Sequence, residues 1–175
     1  MNDNDIEVRA AQAAKKLVER LIQRHDILVL AESCTAGLAS DLVARVSGAS
    51  AVLWGSFVCY QAEAKERMLG IDSGFLRRYG LVSRETAREM AFCALHLAGA
   101  SIAAAVTGLA GPLGDGSDTP VGTVWVAVAK RLGSGEAGPV ENWHQEKELH
   151  FQGTRAEVRM QAAAAVMEEL LKAVA

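Results

Sequence analysis

The sequence predicts an α/β fold: one three-layer α/β/α domain around a mixed, largely parallel central sheet. Helical and strand patterns alternate along the 175 residues, and no repeat, low-complexity block or linker divides residues 1–175. Half of the residues are apolar while only 5% are aromatic, which indicates a core of small and branched aliphatic side chains. At roughly 100–200 residues per domain, this length suits a single domain.

Apolar spacing predicts the elements of the N-terminal half. Apolar residues recur at helical spacing over residues 6–24, which indicates an amphipathic helix. The short continuous apolar run at 27–31 is typical of a strand buried on both faces. A helix over 38–46, a strand over 51–60 and a helical stretch from Glu63 are expected to follow.

Capping residues help to place the elements of the C-terminal half. Ser83 is a candidate N-cap for a helix that ends at Gly99. Thr154-Arg-Ala-Glu157 has the pattern of a capping box, and it begins an Ala-rich helix that runs to the C-terminus. Between these helices the sequence predicts strands over 101–106, 121–129 and 141–151, a loop over 108–120 and a glycine-rich connection over 130–140.

Charge and residue usage exclude several classes of partner. The chain has 18 basic and 21 acidic residues without long blocks of one sign, so we expect no nucleic-acid partner. It contains no apolar run of the roughly 18–20 residues that span a bilayer, so we expect a cytoplasmic protein that binds no membrane. We expect no metal site within the local sequence, because no metal-binding spacing connects the cysteines and histidines: Cys34, Cys59, Cys93, His25, His96, His144 and His150.

Ligands of α/β domains usually bind beyond the carboxyl ends of the strands, which here nominates residues 32–35, 60–65 and 107–112. Ser33 precedes a helix, so it is either a nucleophile near the helix N-terminus or an ordinary N-cap. Lys65 is either a base withdrawn from water or a solvated helix charge. Arg155 and Arg159 could reach a phosphate from the last helix or be surface charges.

Four motifs in register resemble the CinA C-terminal domain family. They are the segments 31–38 (AESCTAGL), 55–65 (GSFVCYQAEAK), 107–112 (TGLAGP) and 120–125 (PVGTVW), followed by the segment 151–155 (FQGTR). The resemblance covers nearly the whole chain. It implies a nicotinamide-nucleotide amidohydrolase, which converts nicotinamide mononucleotide and water to nicotinic acid mononucleotide and ammonia without metal or cofactor.

The resemblance also implies a set of site residues. The serine of the family corresponds to Ser33 and its lysine to Lys65, which implies a Ser-Lys catalytic pair. The expected substrate-binding residues lie on the surrounding turns and on the last helix: Glu32, Cys34, Thr35, Ala36, Gly37, Tyr60, Thr107, Gly108 and Arg155. The small molecule nicotinamide mononucleotide is the expected partner, and Ala-rich helices with exposed apolar faces favour a homodimer or a higher homo-oligomer.

Three departures from the family pattern concern substrate fit. Ala36 stands where the family commonly has Gly, Thr154 stands where it commonly has Asp, and the loop 113–119 lacks the usual glycine run. Longer CinA proteins carry an additional N-terminal domain, which we expect this chain to lack. Two alternatives stay open: an amidase or esterase with another substrate, and a non-catalytic nucleotide-binding module associated with competence or DNA damage.

Overall fold

The computed structural model describes residues 3–132 and 141–175 of the chain. Five strands and six α-helices alternate within this part, with a short 3-10 turn at Ala49–Ala51. The elements in chain order are α1 (Asp3–Arg24), β1 (Leu28–Glu32), α2 (Leu38–Ala44), β2 (Leu53–Val58), α3 (Ala62–Leu69), α4 (Ser73–Tyr79), α5 (Arg84–Ala98), β3 (Ile102–Gly108), β4 (Thr123–Leu132), β5 (Glu141–His150) and α6 (Arg155–Ala173).

The five strands form one mixed sheet in the order β2-β1-β3-β4-β5. Strand β1 lies between β2 and β3 and pairs in parallel with both. Strands β3 and β4 are antiparallel, as are β4 and β5, so that four of the five described strands run in one direction. The expectation of a mixed sheet with mostly parallel strands is confirmed.

Helices cover both faces of the sheet and give the expected three layers. On one face α1, α2 and α6 pack against side chains such as Leu28 and Leu30. On the other face α3, α4 and α5 pack against Val29, Ala31 and their neighbours. The alternation along β1 explains why its sequence is a continuous apolar run, since both faces of a central strand are buried.

Small side chains let α5 approach the sheet closely. Ala103 and Ala105 of β3 point to the α5 face, and both are wholly buried. The helix meets them with Ala87, Ala91 and Ala94. The small-residue core that the composition predicts is therefore present at this helix-sheet contact, and alanines such as Ala162 and Ala163 of α6 are buried on the other face.

Element boundaries differ from the predictions where pairing or a local turn decides them. Strand β3 continues through Thr107 to Gly108, because these residues pair with Trp125 and Val124 of β4 rather than forming a turn. The residues of Ala49–Ala51 form a 3-10 turn, so β2 begins only at Leu53. The predicted connection over 130–140 begins within β4, and its residues 133–140 lie outside the described part of the chain.

Helix α4 was not predicted from the sequence. Asp72 is its N-cap, and its side chain accepts a hydrogen bond from the Phe75 N–H at 2.9 Å. Both caps predicted further along the chain are present, at Ser83 for α5 and at Thr154 for α6. None of the helices in the described ranges is long and apolar enough to cross a membrane.

Candidate functional site

The site lies where the carboxyl ends of β1, β2 and β3 meet at one edge of the sheet. Ser33 directly follows β1, and its backbone N–H donates to the Val106 carbonyl of β3 at 2.9 Å. The backbone N–H of Cys59, which directly follows β2, donates to the Glu32 carbonyl at 2.8 Å. These bonds bring the segments after β1 and β2 together, as the parallel arrangement of the strands predicts.

Lys65 of α3 places its amine beside the Ser33 hydroxyl. Its side chain is wholly buried, although the surrounding sequence of α3 is rich in charged residues. The Lys65 Nζ lies 3.0 Å from the Ser33 Oγ, 2.7 Å from the Cys59 carbonyl oxygen and 3.4 Å from the Tyr60 carbonyl oxygen. Residue spacing does not distinguish Lys65 from the other lysines as a candidate base, but its burial in the structure does.

Burial changes the acid-base chemistry of this amine. It lowers the pKa of Lys65 from 10.5 to about 8, because water no longer solvates the ammonium form. In the neutral amine two N–H bonds can be directed to the Cys59 and Tyr60 carbonyl oxygens, which leaves the lone pair facing the Ser33 Oγ. The arrangement suits a base that accepts the serine proton.

Ser33 opens into a cleft with a volume of about 260 Å³. The cleft contains six of the expected site residues: Ser33, Cys34, Tyr60, Thr107, Gly108 and Arg155. Burial raises the pKa of the Cys34 thiol to about 12, so this side chain stays protonated and uncharged at neutral pH. Of these two neighbouring side chains, it is Ser33 that lies in hydrogen-bond contact with the Lys65 amine.

Arg155 joins two walls of the cleft. Its guanidinium donates to the Gly111 carbonyl oxygen at 2.7 Å and to the Tyr60 hydroxyl oxygen. Gly111 belongs to the loop after β3, and Tyr60 belongs to the connection between β2 and α3. The α6 N-terminus thereby brings a positive charge to the cleft, which a bound anion would meet.

Four of the expected substrate-binding residues lie outside the cleft. Glu32 and Thr35 are wholly buried, and the Thr35 hydroxyl donates to a Glu32 carboxylate oxygen at 2.7 Å. Ala36 and Gly37 form the following turn, where both residues have left-handed backbone angles, with φ of 51° and 95°. These four residues shape the turn that carries Ser33 and do not line the cleft, in contrast to the sequence-based expectation.

Several cleft residues were not predicted from the sequence. Leu81 and Val82, which connect α4 with α5, lie in the cleft wall. The Thr107 hydroxyl donates to the Leu81 carbonyl oxygen at 2.7 Å and so ties this wall to β3. Residues 113–115 also line the cleft, next to residues 109–111 of the nominated segment 107–112, and the unusual length of their loop was the available signal.

The described residues offer no obvious metal centre. Within 3–132 and 141–175, no three side chains of His, Cys, Asp or Glu are grouped so that they could hold a metal ion. The functional groups in or beside the cleft include the Ser33 hydroxyl, the Lys65 amine, the Arg155 guanidinium, the Tyr60 phenol and the Asp115 carboxylate.

Comparison with known proteins identifies the family. Residues 10–174 match the CinA C-terminal domain. The chain belongs to the CinA C-terminal domain family. Two solved structures resemble it over nearly their whole length. The competence or damage-inducible protein of Enterobacter asburiae is 30% identical, with a TM-score of 0.85 over 95% of this chain and 98% of that chain. CihA of Agrobacterium tumefaciens is 34% identical, with a TM-score of 0.83 over 94% of each chain.

Curated relatives of this CinA-family chain differ in length and in name. A CinA-like protein of Geobacter metallireducens is 43% identical over 143 residues, which are 82% of this chain but 32% of that protein. The chain thus spans about a third of such CinA-like relatives. The nicotinamide-nucleotide amidohydrolase PncC of Enterobacter agglomerans is 40% identical over 142 residues, which are 81% of each protein. An amidohydrolase is therefore among the relatives that this chain matches along most of its length.

Proposed function

We propose that this protein hydrolyses the carboxamide of nicotinamide mononucleotide to give nicotinic acid mononucleotide and ammonia. The observation that carries the proposal is the buried Lys65 amine, 3.0 Å from the Ser33 hydroxyl at the wall of a cleft. Support for the substrate comes from the PncC relative, which matches along most of the chain.

In the first half of the reaction, the neutral Lys65 amine accepts the Ser33 proton as the Ser33 oxygen attacks the carboxamide carbon. The carbonyl oxygen becomes an oxyanion. The backbone N–H of Cys34, a residue of the cleft wall, adjoins the nucleophile, and within the described part of the chain it donates to no other residue. We assign this group to the oxyanion, since a preorganised donor at a developing charge lowers the barrier.

The second half releases ammonia and regenerates the serine. The Lys65 ammonium gives its proton to the departing nitrogen, the carbon–nitrogen bond breaks, and an ester to Ser33 remains. Lys65, neutral again, then takes a proton from water as the water oxygen attacks the ester carbon. The Ser33 oxygen leaves with the proton held by Lys65, and the carboxylic acid is released and ionises.

Arg155 is the cleft residue that we assign to the phosphate of the substrate. A guanidinium pairs well with phosphate oxygens, and the first turn of α6 adds favourable electrostatics. Its present bonds to Gly111 and Tyr60 hold the side chain at the cleft. A phosphate would compete for these N–H groups, so Arg155→Ala should raise KM for the nucleotide more than it lowers kcat.

The test measures ammonia release from nicotinamide mononucleotide by purified variants. Ser33→Ala and Lys65→Met should each lower kcat by about 10²–10⁴-fold or more, because they remove the nucleophile and the base. The matched controls are Ser50→Ala and Lys16→Met, which change exposed residues and should retain the wild-type rate. Full activity in the Ser33→Ala variant would exclude the mechanism.

Two further measurements separate the proposal from its alternatives. For the wild type, kcat/KM should rise with pH through a midpoint near pH 8 and level off above about pH 9, because only the neutral form of Lys65 is active. Nicotinamide and simple amides serve as competing substrates. Turnover of these amides without turnover of the nucleotide would indicate an amidase of another class, and no turnover with intact nucleotide binding would indicate a non-catalytic module.

A further inference from the structure

Glu32 is a buried carboxylate whose charge is surrounded by hydrogen-bond donors. Its Oε2 accepts from the Thr35 hydroxyl at 2.7 Å and from the N–H groups of Gly37 at 2.9 Å and Ala39 at 3.0 Å. Its Oε1 accepts from the Ser40 N–H at 2.9 Å and the Ser56 hydroxyl at 3.1 Å. Both oxygens are therefore engaged inside the protein, away from the cleft.

The donors to Glu32 come from three separate parts of the fold. They belong to the turn after Ser33, to the first turn of α2 and, through Ser56, to β2. Glu32 itself is the last residue of β1 and the immediate neighbour of Ser33. One carboxylate thus connects the turn after Ser33 with β1 and β2. The positions of Ser33 and Lys65 depend on these two strands.

The turn that Glu32 holds has an unfavourable backbone conformation. Ala36 has a φ of 51°, in the left-handed region that a residue with a Cβ rarely adopts, and Gly37 follows with a φ of 95°. Such a conformation persists only where surrounding contacts stabilise it. Here the Glu32 carboxylate supplies them, since it binds the residues on both sides of Ala36.

A second side chain, that of Arg159, also binds this turn. Arg159 of α6 donates from Nε to the Cys34 carbonyl oxygen at 3.1 Å and from Nη2 to the Thr35 carbonyl oxygen at 2.7 Å. From the sequence, Arg159 was a candidate phosphate ligand or a surface charge. In the structure its guanidinium binds the two residues that directly follow Ser33.

We propose that Glu32 is a positioning residue for the Ser33 nucleophile, and that Arg159 completes its hold on the turn. The proposal rests on the proposed function for the identity of the substrate. The contacts that support it concern the turn at Ser33 and not the substrate. A displacement of about 1 Å at a reacting atom can lower the rate by about 10²-fold. Loosening this turn should therefore affect the reactivity of Ser33 more than the binding of substrate.

Glu32→Gln tests the carboxylate with almost no change in volume. A glutamine has one acceptor oxygen, whereas the two oxygens of Glu32 accept five hydrogen bonds. Whichever way the amide is oriented, its NH2 group faces N–H or O–H donors. At least one backbone N–H of the turn or of α2 then loses its acceptor, and the turn loosens.

The matched control is Glu169→Gln. Glu169 is also a buried carboxylate with several donors, which are Gln145, Lys147 and Lys172. It lies ten residues after Arg159 on α6, which corresponds to about 15 Å along the helix. Its replacement should change stability without changing the reactivity of Ser33.

The experiment follows Ser33 with two independent readouts. One is kcat and KM for nicotinamide mononucleotide across pH, and the other is the rate at which a fluorophosphonate adds to Ser33, followed by intact mass with Ser33→Ala as the blank. We expect Glu32→Gln to lower kcat and the labelling rate about tenfold or more, with KM changed less than about threefold. The pH midpoint of kcat/KM should stay near 8, because burial sets the pKa of Lys65.

Two results would overturn the positioning role: a labelling rate for Glu32→Gln within about twofold of the wild type, or no labelling of Ser33 in the wild type. If Glu32→Gln does not fold, Arg159→Met replaces it under the same criteria, since that change removes the donors to Cys34 and Thr35. A wild type that labels at Ser33 but leaves the nucleotide intact would refute the proposed function only, and the labelling rates would still decide the role of Glu32.

Discussion

Lys65 is a residue whose burial lowers the stability of the fold. Its pKa falls from 10.5 to about 8 because the ammonium form loses its hydration, and two backbone carbonyls and the Ser33 hydroxyl replace the water. The unfolded chain therefore binds more protons than the folded protein between about pH 8 and pH 10.5. In this window the free energy of unfolding rises with pH.

A variant without the amine makes this contribution measurable. Lys65→Met removes the titrating group while retaining most of the volume. From about pH 7.5 to about pH 9.5, the wild type should gain about 2 kcal/mol of stability relative to this variant. Urea unfolding at a series of pH values measures the difference, and Lys16→Met, at an exposed position, is the control. Parallel stability curves for the wild type and Lys65→Met would show that the pKa of Lys65 is not lowered.

At the residue scale the sequence nominated Ser33 as a candidate nucleophile but did not show what the neighbouring side chains contact. The family motif assigned Lys65 and Ser33 to one catalytic pair. Residue spacing alone did not distinguish Lys65 from Lys15 or Lys130 as the candidate base. Glu32 was expected among the substrate-binding residues because it belongs to the family motif at the carboxyl end of β1. Its side chain points instead into the turn, since adjacent residues of a strand face opposite sides.

At the scale of elements, the N-terminus of α6 combines a predictable local motif with contacts that the sequence does not show. The Thr154 side chain accepts from the Glu157 N–H, and the Glu157 side chain accepts from the Thr154 N–H, which is the predicted capping box. The same first turns of α6 carry Arg155 to the cleft and Arg159 to the Ser33 turn. The cap therefore fixes the end of the helix that both arginines depend on.

Thr154→Ala should lower the free energy of unfolding by about 1 kcal/mol, because the Glu157 N–H loses its side-chain acceptor. Thr154→Ser keeps the hydroxyl and is the matched control, with an expected loss well below that of the alanine variant. Urea unfolding of the three proteins at neutral pH provides the comparison. Equal stabilities of the alanine and serine variants would mean that the cap makes no contribution.

The predicted elements differ from the observed ones where the deciding contacts are distant in sequence. The glycine-rich sequence predicted a turn at Thr107 and Gly108. In the structure both residues pair with β4, so that β3 extends to Gly108. Helix α4 has only seven residues, and its local apolar pattern is too short to predict a helix. Packing of Leu76 against the α5 side of the sheet stabilises α4.

At the scale of the whole molecule, the close contact between α5 and the sheet depends on small residues. Ala103 lies in the centre of the sheet, paired with Val29 of β1 and Ala129 of β4, and none of its surface is exposed. A larger side chain at this position would have to displace α5 or β3. The composition of the chain, poor in aromatic residues, is consistent with this packing.

Ala103→Leu should lower the free energy of unfolding by about 1–3 kcal/mol through overpacking, which corresponds to a Tm lower by several degrees. Ala11→Leu makes the same substitution at an exposed position of α1 and should leave the Tm nearly unchanged. Thermal unfolding followed by circular dichroism measures both variants. A Tm for Ala103→Leu equal to that of the wild type would indicate that the core has room for the larger side chain.

The sequence by itself determined the alternation of helices and strands, the small-residue core, the caps of α5 and α6, and the family to which the chain belongs. These properties depend on periodicity, composition and short motifs, which are local. Only the tertiary structure decided that Lys65 is buried beside Ser33, that Glu32 and Arg159 hold the turn between them, and that Leu81 and Val82 form a cleft wall. These arrangements depend on the environment that distant segments create around each side chain, and that environment sets burial, pKa and hydrogen bonding.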